Sequence, residues 1–201
     1  MRVSEAFERL DDIHEQLTKA EVYGGFRVPG TLAVGVVGLL AAAVQRLTPS
    51  ADGPTAFVVY WVIVAAVCAL LGGGASLYAF AFQEDDFARM RTRRVFGQFL
   101  PCVVTGAVVT ASVLRAGPAL IALLPGMWAV LFGLGVVAVR PYMPRAIGVV
   151  GLFYLAAGSL LLWRAAVVPD LSGWSVGGVF GVGHLATAIV LYRRQEDGAD
   201  V

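Results

Sequence analysis

Charge is scarce in this sequence. Asp, Glu, Lys and Arg make up 14% of its 201 residues, against about 25% in an average soluble domain. So few charges cannot cover a soluble surface of this size. The hydrophobic share of 58% and the mean hydropathy of +0.77 also exclude a disordered chain, which needs low hydrophobicity and high net charge. A net charge of +1 offers no basic face for nucleic acid, and no such partner is expected. Lysine is almost missing: Lys19 is the only one among the 15 basic residues. With so much Ala, Val and Gly, this points to a GC-rich bacterial genome. Cysteine is nearly absent too. Cys68 and Cys102 fall in apolar runs and read as small buried hydrophobes, neither a disulfide nor a metal pair.

What the sequence has is long apolar runs. A membrane-spanning helix needs about 20 mostly apolar residues. Six stretches qualify: 28–47, 56–82, 95–114, 118–139, 146–163 and 173–192. None contains an acidic residue or a lysine. The alternating pattern of a β-barrel is absent. The loops are too short for a separate domain. The expected fold is therefore an all-α integral membrane protein, a six-helix bundle over 26–192. It carries an N-terminal cytoplasmic amphipathic helix over 1–25 and a cytoplasmic tail over 193–201.

Orientation follows from the basic residues, because cytoplasmic loops keep positive charge. With the N-terminus inside, twelve basic residues lie in the cytoplasm and three (Arg46, Arg115 and Arg164) lie outside. The expected location is the cytoplasmic (inner) membrane, multi-pass, with both termini cytoplasmic. The first 22 residues carry nine charges, so no secretory signal peptide is expected. The first span serves as an uncleaved insertion signal. Trp61, Trp163 and Trp174 fall at the outer interface, where Trp anchors helices.

Over residues 3–20 the apolar side chains Phe7, Leu10, Ile13 and Leu17 share an arc of roughly 140°. Over residues 1–22, six acidic residues against three basic ones make this helix a poor match for anionic headgroups. Its seam is expected to contact protein: the helix's own bundle, a second copy, or a separate partner. Arg89, Arg91, Arg93 and Arg94 follow the acidic trio Glu84-Asp85-Asp86 in the second cytoplasmic loop. They are candidates for lipid headgroups, with topology enforcement the plainer role.

Polar groups inside spans are functional candidates by default. No carboxylate, His cluster, nucleophile–base pair or metal-ligand spacing occurs there, so no catalytic residue and no metal site is expected. His184 is the exception. It lies about 2 Å from the centre of the sixth span. Gly173, Gly177 and Gly181 form overlapping GxxxG repeats on the same helix, a smooth ridge for close packing. His184 therefore points to a packed neighbour or a cavity, and is expected neutral there. Thr105 and Thr187 lie near mid-span and are candidates to join it. With one His in the spans, bis-His haem within one bundle is excluded, and no cofactor is expected. In the fourth span Pro125-Gly126 predicts a kink, and Trp128 near mid-bilayer needs a partner for its indole N–H. Pro101 predicts a bend in the third span. The 27-residue second span, with Gly72-Gly73-Gly74 inside it, must tilt or bend.

Three functions compete on these grounds. The first is a non-enzymatic regulatory, scaffolding or ligand-sensing membrane protein, forming an oligomer or binding a partner through 3–20. The second is a channel or carrier for a small neutral or apolar molecule, lined by His184 and the Pro125 break. The third is a lipid- or cofactor-binding membrane subunit.

Overall fold

The structure is a computed structural model; it describes residues 28–47, 53–82, 86–169 and 171–199. The described residues are helical apart from short connections, with no strand among them. They contain six helices long and apolar enough to cross a membrane, the pattern of a multi-pass membrane protein. The amphipathic helix expected over 1–25, with Phe7, Leu10, Ile13 and Leu17, lies outside the described residues.

The helices are α1 (Val28–Leu47), α2 (Pro54–Phe82), α3 (Asp86–Ala116), α4 (Leu124–Ala138), α5 (Ile147–Val167) and α6 (Val179–Ala199). Two spans begin with a non-α turn. Pro118–Leu123 is a 3-10 segment leading into α4, and Trp174–Gly178 is a π segment leading into α6. The helices alternate in direction. Neighbours in space run α2, α1, α6, α5, α4, α3. The tightest seams join α4 to α5 and α1 to α6. Alternation gathers Arg89, Arg93, Arg94, Arg140, Arg145, Arg193 and Arg194 at one end of the bundle. Arg46, Arg115 and Arg164 lie at the other.

Glycine makes both seams. A Cβ on Gly177 would strike the Gly38 carbonyl, Ala42 and the Trp61 ring, and one on Gly181 would sit 3.1 Å from the Gly35 carbonyl oxygen. Across the second seam, a Cβ on Gly126 would lie 2.8 Å from the Gly158 carbonyl oxygen, and one on Gly158 2.9 Å from that of Gly126. Apolar side chains gain nothing by leaving lipid for one another, so close backbone approach is what holds such helices together.

Side chains pack in two clusters. At the Arg-poor end Ala42, Phe57, Val58, Trp61, Val113, Ile121, Leu124 and Val176 form one core. At the Arg-rich end Val95, Val139, Tyr142, Met143 and Ile147 form the other. α2 and α3 bury the smallest share of their apolar length. Their outward faces are Val, Leu and Ile, as lipid contact requires.

Some elements differ from the sequence reading. Arg89–Arg94 belong to the first turns of α3, not to a loop. A helix outside the bilayer needs no apolar residues, and an acidic start at Asp86 suits its dipole. Pro125 does not interrupt an established helix. It sits in the first turn of α4, where a missing N–H is no loss. The Leu124 N–H closes on the Ile121 carbonyl, ending the 3-10 segment. α2 stays helical through Gly72–Gly74 and α3 through Pro101, as a tilted or gently bent helix does. A single residue, Gly117, joins α3 to the next segment; its φ of 116° is one that glycine adopts freely.

Candidate functional site

The His184 side chain leaves α6 on the flank opposite α1 and enters a ring of aromatic groups. Phe132 of α4 lies 5.4 Å from it, centroid to centroid, and Tyr154 of α5 lies 6.3 Å away. Phe180, one turn earlier, stacks edge-on to Phe132 at 5.3 Å. This flank is separate from the glycine ridge. Gly173, Gly177 and Gly181 face α1, while Gly183 faces Tyr154 so closely that a Cβ would enter the phenol ring.

The polar atoms form a closed triangle. His184 Nδ1 is 2.8 Å from the Phe180 carbonyl oxygen and 3.0 Å from Tyr154 Oη. A carbonyl only accepts, so Nδ1 carries the hydrogen. Tyr154 Oη–H donates to the same carbonyl at 3.3 Å. Tyr154 is fully buried, at 1% exposure, so it needs such a partner. Nδ1 is thereby committed. Among the described residues Nε2 has no hydrogen-bond partner, and in the neutral ring it is the remaining acceptor.

The other candidates lie apart from this triangle. Thr187 Oγ1–H donates to the Gly183 carbonyl of its own helix at 2.9 Å. Thr105 is exposed on α3. Trp128 Nε1–H donates to Thr110 Oγ1 of α3 at 2.8 Å, and Thr110 Oγ1–H donates in turn to the Gly106 carbonyl at 2.7 Å. The mid-span indole thus joins α3 to α4. Pro125 lines a cavity of about 10 Å³ with Leu161, Arg164 and Ser175, space for about one water. Cys68 and Cys102 are free thiols. Among the described residues no group of His, Cys, Asp and Glu is arranged to hold a metal.

A second polar junction sits at the Arg-poor end. Trp61 Nε1–H donates to Gln45 Oε1 at 2.9 Å, and Tyr60 Oη–H donates to the Ala41 carbonyl at 2.7 Å. The two rings meet edge-on, 5.4 Å apart. Trp61 is therefore packed, at 4% exposure, whereas Trp163 is 72% exposed as an interfacial anchor would be. Gly173 lies against the same Gln45 amide.

No family model, curated protein or solved structure matches the chain.

Tyr154, Thr110 and Gln45 were not separable from other polar residues by sequence alone. Each is one polar residue in an apolar run. Their importance comes from which helices become neighbours, and spacing along one helix does not carry that. The signal that does exist is indirect: a buried His and a buried Trp each demand a partner.

Proposed function

We propose that this chain is a non-enzymatic scaffolding or regulatory protein of the cytoplasmic membrane, with both termini in the cytoplasm. One observation carries the reading. Four helices, α1, α6, α5 and α4, are locked by glycine seams, while α2 and α3 turn long apolar faces outward. Such a build suits presenting surfaces better than opening a path. The Arg distribution supports the orientation. The amphipathic pattern of 3–20 supplies a protein-contacting element on the cytoplasmic side. The bilayer, and a second copy or cytoplasmic protein, are the partners that follow.

Deletion of residues 1–22 tests this. The bundle is expected to insert and fold, and native mass spectrometry of gently extracted protein is expected to show loss of self-association or of the co-purifying partner. Unchanged association after the deletion overturns the reading.

A second reading rests on the free Nε2 of His184. A carrier for a small neutral molecule that donates a hydrogen bond needs an acceptor at mid-membrane, and this nitrogen is one. It predicts that His184→Ala changes flux in proteoliposomes with little change in melting temperature. A large stability loss at unchanged flux returns His184 to a packing role.

A further inference from the structure

The helices form an open ring. Neighbours in space run from α2 through α1, α6, α5 and α4 to α3, and the two end helices barely touch. One flank of α2 packs on α1 through Tyr60 and the Leu71 carbonyl. The other flank, Val58, Val62, Ala65 and Ala69 at helical spacing, turns toward α3. Val58 is buried at the Arg-poor end, where the segment Pro118–Leu123 fills the gap. Val62, Ala65 and Ala69 are exposed. Among the described residues the Arg-rich core takes none from α2. A groove therefore runs between α2 and α3 from mid-span toward the Arg-rich end and is closed at the Arg-poor end.

The groove leads to His184. Val182 and Ile189 form the exposed face of α6, so Phe180 and His184 on the opposite face turn into the ring. Phe132 joins them, and Phe99 of α3 meets Phe132 edge-on at 5.2 Å. Aromatic surface thus continues from α6 across α4 to the α3 wall. His184 is only partly buried, so its tip is not sealed in. Nδ1 is held by the Phe180 carbonyl and the Tyr154 hydroxyl, which leaves Nε2 as an acceptor at the end of the side chain.

These features select a ligand. Apolar walls at mid-span admit a molecule dissolved in hydrocarbon. The rings of Phe99, Phe132 and Phe180 favour a flat ring, which they meet by offset or edge-on stacking. A lone acceptor pairs only with a donor. An acyl chain can fill such a groove, but it leaves Nε2 unpaired where no water replaces the bond. We infer that the groove between α2 and α3 binds a lipid-soluble molecule whose flat ring carries a hydroxyl. The ring lies against Phe132 and Phe180, and the hydroxyl donates to His184 Nε2. The inference rests on the membrane reading of the chain and on the acceptor invoked for a carrier; it adds the class of molecule and its route of entry, and it does not require transport.

A geranyl-substituted naphthol and its methyl ether test this, since the pair differs only in the donor. Protein-dependent binding to the full chain in lipid nanodiscs is measured by titration calorimetry against empty nanodiscs. The naphthol is expected to bind about tenfold tighter than the ether, the worth of one hydrogen bond. In His184→Phe the ether is expected to bind as before and the preference to vanish. Ala65→Trp fills the groove and is expected to abolish binding of both, whereas Ile63→Trp on the outward face of the same helix is expected to leave both unchanged. Equal affinity for the two probes in the native chain overturns the inference. So does a preference that persists in His184→Phe, or binding indifferent to Ala65→Trp. Absence of protein-dependent binding by either probe gives the groove to acyl chains and overturns it as well. Proteoliposome flux is read separately: discrimination without flux ends the carrier reading and leaves this site standing, and flux without discrimination does the reverse.

Discussion

Tyr154 holds the His184 ring by a phenol oxygen that accepts from Nδ1–H and donates to the Phe180 carbonyl. Removing that oxygen keeps the Nδ1–H bond to the carbonyl, so the loss is partial. Tyr154→Phe is expected to cost about 0.6 kcal/mol, the average for such bonds between membrane helices. Gly183→Ala is expected to cost more, about 1–3 kcal/mol, because its new methyl displaces a buried ring that has nowhere to go. Thermal unfolding in detergent checks both, and the ranking is the test: a Tyr154→Phe loss exceeding that of Gly183→Ala would show that the bond, not the packing, fixes the ring. At this scale the sequence was partly legible. A mid-span His beside glycines pointed to a close neighbour, and the indole of Trp128 demanded an acceptor. The identities Tyr154 and Thr110 were hidden, because one chain's spacing does not say which helices meet.

At the scale of single elements, the spans were legible and their ends were not. Apolar runs mark where lipid lies, whereas helices continue past it. α3 starts at Asp86 and α6 ends at Ala199, both well inside stretches whose charge reads as loop. Proline was read by the wrong rule at position 125. An interior proline costs about 3 kcal/mol, and its removal should then stabilise the helix by a similar amount. In the first turn of α4 it costs little and restricts the unfolded chain, an effect worth about 0.4–1 kcal/mol. Pro125→Ala is therefore expected to lower stability slightly, with some further loss from the buried ring atoms it removes. A clear gain in melting temperature would show that Pro125 strains the helix it begins.

For the whole molecule, composition alone gave the class: an all-helical chain with six helices long and apolar enough to cross a bilayer. The spatial order of the helices was beyond its reach. α1 and α6 are remote in sequence yet share one of the two tightest seams. Glycines at Gly35, Gly38, Gly177 and Gly181 suit such a seam, but many glycine-bearing helices compete for the same partners. The order decides the function proposed here, because it leaves α2 and α3 on the outside.

The glycine seams also set the tempo of the molecule. Where glycine lets two backbones meet, carbonyls stand among the nearest atoms and cannot rotate away as a side chain can. α2 and α3 are held instead through side chains: Phe57, Val58 and Trp61 in the core and the hydrogen bonds donated by Tyr60 and Trp61 for α2, and Val95, Val113 and the bond that Thr110 accepts from Trp128 for α3. Elements with few buried contacts open first. Hydrogen–deuterium exchange in lipid nanodiscs is expected to reach the amides of α2 and α3 long before those of α4 and α5. Uniform exchange across all six helices would show that the seams do not divide the bundle. The outward faces of α2 and α3 are then expected to move most, and the glycine-locked helices are the frame they move against.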